Sequence, residues 1–176
     1  MKRLGYAVSP HIIDSADHGV AQHRVRLFLV LTRSKHPIQL VLPRRPHKPV
    51  RDIIEWDAHR WNPIKRPGRS KRTLARIESG RKAFGSTFVA PFYSSGSGLT
   101  GRSIDRPIGT ISTVDRWALI RGDEMRMLQP SEIRAGMGLP QHYVLPNNRR
   151  EAIHLLGNGV TPIVATDILN ALRRAG

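Results

Sequence analysis

The chain has 176 residues, no cysteine and a formal net charge of +16, with 29 Lys and Arg against 13 Asp and Glu. The length suits one domain or two small ones, and the missing cysteines exclude disulfides, thiolate metal sites and a cysteine nucleophile. No run of eighteen apolar residues and no signal-like start occurs, which predicts a soluble cytoplasmic chain without a membrane partner, while the basic excess predicts a polyanionic one, nucleic acid.

In chain order, residues 3–13 read as a short strand, a break at Ser9-Pro10 and a second extended piece, followed by a polar turn over 14–19. Gln22, Arg24 and Arg26 then recur at spacing two before the apolar run 27–31, which predicts a strand over 22–31 with all three on one face. Two guanidiniums and an amide on one face can grip a phosphate or a base edge, or can simply face water. An open apolar strand at the start of the chain would need a partner to cover it. Residues 33–72 are irregular and basic, with six prolines, and between Arg44 and Lys82 lie thirteen Lys and Arg against four Asp and Glu. Residues 50–56 suggest one or two amphipathic turns, and 65–72 a mobile, phosphate-facing loop.

The spacing predicts a helix over 73–84 capped by Thr73, and a strand over 88–93 carrying an edge-type proline. Gly96 to Gly101 forms a formal G-x-G-x-x-G, but 102–107 cannot open a helix, so a flexible loop is expected there rather than a cofactor fingerprint. Residues 108–113 and 116–120 read as paired strands. Helices are expected from Pro130 to Met137, from Asn148 to Leu156 and from Pro162 to Arg173, the last with an apolar side and a basic C-terminus.

Three segments, in order, resemble the C-terminal part of a DNA (cytosine-5) methyltransferase. Residues 19–26, Gly-Val-Ala-Gln-His-Arg-Val-Arg, are similar to the family's G-V-P-Q-x-R-x-R, with Ala21 at the usual proline. Residues 126–140 are similar to R-x-L-T-x-R-E…G-F-P, with Gln129 and Ser131 as departures. Residues 157–162, Gly-Asn-Gly-Val-Thr-Pro, are similar to the closing G-N-A-V-x-P. The variable stretch 27–125 falls where the family carries its target recognition domain, and 106–111 resembles a threonine-containing signature found there.

This resemblance implies an α/β fold: a partial Rossmann-like methyltransferase sheet from both chain ends (1–34 and 126–176) with an inserted, irregular, β-rich recognition domain (35–125). It implies that Arg26 contacts an extruded cytosine, that Arg24 holds nearby active-site and backbone groups, and that Gln22 braces the loop or touches DNA. It also implies that Asn158, Gly159 and Val160 meet the methionine end of S-adenosyl-L-methionine, although Asn and Gly there also suit a plain helix C-cap. Arg69, Lys71, Arg72, Arg102, Arg106 and Thr110 are the candidate contacts to double-stranded DNA, and no metal site is expected. The family's Gly-rich cofactor loop and Pro-Cys nucleophile are missing from this sequence. The expectation is therefore one subunit of a split enzyme, inactive alone, in an obligate heterodimer with a catalytic chain that supplies both. The rivals are a stand-alone sequence-specific DNA-binding module and an inactive remnant.

Overall fold

A computed structural model describes residues 4–92 and 101–175. The Gly96–Gly101 motif therefore lies almost wholly outside the described residues, as does Tyr93 at the end of the expected 88–93 strand. The fold is mixed α/β. Strands β1 (Ala7–Asp14) and β2 (Val25–Thr32) form a two-stranded antiparallel sheet in which Ala7 faces Thr32 and Asp14 faces Val25. A short 3-10 turn, Ser15–Asp17, follows β1, with the Asp14 carboxylate accepting from the Ala16 N–H at its start.

Three expectations in this region are corrected. The Ser9-Pro10 break does not occur: β1 runs through Pro10, because each strand of a two-stranded sheet has one open edge where a missing N–H costs nothing. The second strand starts at Val25 rather than at Gln22. Asp14 accepts the Arg24 N–H at 2.8 Å and Ser15 donates to the Arg24 carbonyl, which draws 22–24 out of the strand and into the body of the protein. Consequently Gln22, Arg24 and Arg26 do not share a strand face: the first two are buried and the third is exposed.

A second, five-stranded sheet has the order β3-β7-β6-β4-β5, comprising β3 (Asn62–Pro63), β4 (Thr87–Pro91), β5 (Arg102–Ser103), β6 (Trp117–Arg121) and β7 (Glu124–Met127), all antiparallel. Helix α1 (Lys71–Phe84) packs on β4. It begins two residues before the expected start, because the Ser70 hydroxyl, not Thr73, accepts the first-turn N–H of Thr73. The expected pairing of 108–113 with 116–120 is also corrected. β6 takes β4 and β7 as neighbours, the latter through the two-residue Gly122–Asp123 turn, where Gly122 has φ of 53°. Residues 108–113 run instead beside 21–23, with Ile108 N–H donating to Ala21 O at 3.0 Å and His23 N–H to Ile108 O at 2.7 Å. An apolar alternation reports a buried backbone, and here its partner is a loop.

Residues 50–56 contribute a 3-10 turn, Val50–Ile53. Helices α2 (Pro130–Gly136), α3 (Arg149–Asn158) and α4 (Pro162–Ala175) complete the chain. α2 starts with a proline in its first turn and a reciprocal Gln129–Glu132 capping box, and Asn148 caps α3. The ends contribute an antiparallel pair and these helices, and the parallel pairing among the described residues is confined to the isolated bridges His18–Arg45 and Gln22–Ile108.

The largest apolar core crosses the expected division at 35 and 125. It joins Ala21, Val50, Ile53, Val89, Ile108, Ile111, Trp117 and Leu119 to Leu128, Ile133, Met137, Ile153 and Leu156. A second core fills the space between α1 and the five-stranded sheet, around Ile77, Phe88 and Ile120. The third lies under the two-stranded sheet, where Ile13 meets Val164 and Ile168 of α4, with Phe28, Leu40 and Leu42 against it.

Candidate active site and comparisons

The first and last of the matched segments meet. Arg24 is buried beneath β2, and its guanidinium donates to three backbone carbonyls: Ile111 at 3.0 Å, Gly157 at 2.8 Å and Gly159 at 3.0 Å. A planar fork is the side chain suited to three such acceptors at fixed angles. Burial, and then the neighbouring Arg26, hold its pKa below the usual arginine value, yet it stays charged at any physiological pH. The α3 backbone can come this close because Gly157 has no side chain: a Cβ there would lie 2.4 Å from the Ser112 carbonyl carbon and the Thr113 nitrogen.

This knot shapes a small pocket of 190 Å³ whose lining includes Ser15, Arg24, Arg26, Phe28, Asn158, Gly159, Val160 and Thr161. Arg26 is exposed and donates to the carbonyl of Val25 at 2.8 Å. Asn158 is the last residue of α3, exposed, with its amide 3.4 Å from the His154 ring. Gly159 caps the helix with φ of −65° and ψ of 152°, so the cap is extended and does not use the left-handed conformation that glycine often supplies. Ser15 and Thr161 close the floor, their hydroxyls 3.0 Å apart; the sequence offered no signal for this pair.

Gln22 lies deeper. It is 0% exposed; its amide nitrogen donates to the Gly136 carbonyl at 3.2 Å, and its oxygen accepts the Ile111 N–H at 3.1 Å. Of the two roles expected for it, bracing is the one this position allows. Thr110 likewise donates to the His23 carbonyl at 2.9 Å, tying the threonine-containing segment to the first motif.

Two polar clusters tie neighbouring segments together. Asp14 contacts His23 Nδ1 at 2.7 Å as well as two backbone N–H groups. Burial alone would raise its pKa, but the bonds from His23, Ala16 and Arg24 outweigh this and hold it below the usual aspartate value. On α4, Asp167 accepts from both nitrogens of the Arg45 guanidinium, the second at 2.8 Å, and contacts buried His18 at 2.7 Å. Arg45 and then His18 depress the Asp167 pKa against its burial. The basic segment after β2 is thus pinned to the helix that follows the last motif.

The basic candidates lie elsewhere. Lys71 and Arg72 are exposed in the first turn of α1, where N–H groups and the helix dipole add to their charge. Arg69 is half-buried and donates to the carbonyls of Ile64 at 3.1 Å and Pro63 at 3.3 Å, so part of its fork holds its own loop. Arg102 and Arg106 are exposed on β5 and just beyond it. Within the middle motif, Arg126 and Glu132 form a fully enclosed ion pair at 2.6 Å and 2.8 Å, and Glu132 also accepts the N–H of Glu55. That pair joins α2 to the backbone at Glu55, a link the Arg and Glu of the motif could have signalled.

The family model for C-5 cytosine-specific DNA methylases matches residues 1–174. The chain belongs to the C-5 cytosine-specific DNA methylase family. It is 24% identical, over 99% of its length, to the Type II methyltransferase M.MspI of Moraxella sp., and covers 40% of that protein. Among solved structures, the Entamoeba histolytica methyltransferase EhMeth superposes with a TM-score of 0.62 at 11% identity, over 98% of this chain and 55% of that one. A putative DNA modification methyltransferase encoded within an E. coli prophage gives 0.60 at 18% identity, over 98% and 62%. These likenesses show the methyltransferase fold, and the chain spans less than half of the curated relative.

Proposed function

We propose that this chain is the recognition subunit, without the nucleophile, of a two-chain DNA cytosine-5 methyltransferase. The observation that supports this most is the convergence of Arg26 with Asn158, Gly159 and Val160 around one pocket, in a sequence with no cysteine to attack a base. The family match over residues 1–174 supports the methyltransferase part of this reading; in it, the Pro-Cys nucleophile and the Gly-rich loop come from a partner.

A cytosine must leave the helical stack before its ring can be reached. Thiolate addition at C6 pushes negative charge onto the base, and in this reading Arg26 donates to O2 where that charge develops. Arg24 fixes the backbone on both sides of the pocket, and Gln22 holds the 110–111 segment behind it. S-adenosyl-L-methionine fits this geometry in part: 190 Å³ is below the size of a complete small-molecule site, so the pocket would accept one end of the cofactor and share the remainder with the partner. The bound cofactor supplies an electrophilic methyl group. The Asn158 amide and the Gly159 and Val160 backbone would hold its methionine end.

Double-stranded DNA would lie along the basic region, with Lys71, Arg72, Arg102 and Arg106, and in part Arg69, meeting phosphates or guanine edges. The charge of +16 also suits a DNA-binding module acting alone. Mixing separates the two readings: methyl transfer to DNA only when the Pro-Cys chain is added supports the split enzyme. Tight sequence-specific binding by this chain, without methyl transfer in any mixture, supports the module or a remnant.

A further inference from the structure

The register of the two-stranded sheet places Val8, Pro10, Ile12 and Asp14 opposite Leu31, Leu29, Leu27 and Val25. Side chains alternate between faces, so all eight point the same way. The other face carries Ser9, Ile13, Phe28 and Val30 and is closed by α4 and by Leu40 and Leu42. Nothing among the described residues closes the outward face: Ile12 is 78% exposed, Leu27 60%, Leu29 55% and Val25 53%. Seven of its eight residues are apolar and none is Lys or Arg, in a chain of +16. A surface with that composition is not where DNA lies, and a contiguous apolar sheet face of this kind is an interaction surface.

We infer that this outward face of β1 and β2 is the seat of the cysteine-bearing polypeptide. The inference rests on the two-chain reading above and adds the surface through which the chains join. Two observations single out that occupant. The pocket lies at one end of the same hairpin, with Arg26 between outward-facing Val25 and Leu27, so a chain seated here reaches the pocket's edge. The Moraxella relative also extends well beyond the part matched by this chain, which accounts for 99% of this sequence but 40% of that one. A second copy of this chain would cover the apolar face and leave the pocket without a nucleophile.

The test compares three forms of the full chain for binding to a methyltransferase chain that carries the Pro-Cys nucleophile and the Gly-rich loop. These are the native protein, the double variant Ile12→Glu/Leu29→Lys and the control Val144→Asp. Ile12 and Leu29 are diagonal neighbours across the strands, so the new charges attract one another and the hairpin is kept; circular dichroism checks this. Val144 is exposed on a loop far along the chain. Removing two large apolar anchors should weaken association at least about 100-fold, with methyl transfer recovered when both chains are concentrated. The control should bind as the native chain does, and backbone amides of 25–31 should gain hydrogen-exchange protection on mixing.

Native-like association of the double variant overturns the inference while leaving the two-chain reading intact. So does a native chain that forms a stable homodimer, or binds phosphatidylcholine vesicles, with 25–31 already protected. Failure of the native chain to form any active mixture overturns the two-chain reading, and the inference with it.

Discussion

Arg24 and Arg26 are two residues apart and do opposite things. Arg24 is enclosed and donates to three carbonyls from two separate segments, whereas Arg26 sits in the open at the pocket. Arg26→Ala should therefore lower methyl transfer by the two-chain mixture on the order of 10²- to 10³-fold, with DNA affinity almost unchanged; steady-state methylation and DNA titration check both parts. An equal loss of affinity would make it a DNA anchor. Gly157 has a matching structural requirement. With the Ser112–Thr113 backbone 2.4 Å from where a Cβ would stand, Gly157→Ala must push α3 away from the loop and stretch the Arg24 bonds. A loss of about 1 to 3 kcal/mol in urea unfolding is expected, together with weaker binding of S-adenosyl-L-methionine by the assembled enzyme. The pattern of alternating polar residues could not separate the two arginines: it reports periodicity, and the separation comes from Asp14 and Ser15 pulling residue 24 inward.

Among the elements, the helices were the most legible. Each of α1 to α4 falls within two residues or so of its expected limits, because the start at Asn148, the Pro at the start of α2 and the apolar spacing of α4 act locally; α1 starts early because Ser70, not the expected Thr73, caps it. The strands were less legible, since a strand's partner is chosen at long range: 108–113 carries strand-like alternation but lies along a loop. The links between elements were the least legible, the Arg126–Glu132 pair apart. Asp167 sits mid-helix and reads as a surface aspartate, yet it clamps Arg45 and His18. Its pKa lies below the ordinary value chiefly through Arg45. It therefore contributes stability that is complete above the unfolded aspartate pKa and disappears as pH falls through the lower, folded one. Asp167→Asn should remove that part of the acid unfolding curve, giving a shallower loss of stability below about pH 4; urea midpoints taken between pH 3 and 7 test this.

For the molecule as a whole, the charge of +16 sets the expected behaviour with DNA. Each phosphate neutralised releases counterions, so binding by the assembled enzyme should fall steeply with salt. Replacing Arg69, Lys71 and Arg72 together by alanine should flatten the plot of log affinity against log salt by about one unit for each phosphate no longer neutralised. The smallest change is expected from Arg69, part of which is held by its own loop.

The shared core bears on how such proteins can change the sequences they recognise. Ile53, Ile111 and Trp117 interlock with Leu128, Ile133 and Leu156, and position 126 falls within β7. A chimaera that exchanges only 35–125 would cut through that packing and through the Arg126–Glu132 bond to the Glu55 backbone. Grafts that carry α2 and α3 along with the donor's recognition segment should yield soluble protein where grafts cut at 125 do not. In the two-chain reading proposed above, a change of specificity would need exchange of that whole block, or point changes on the exposed loops.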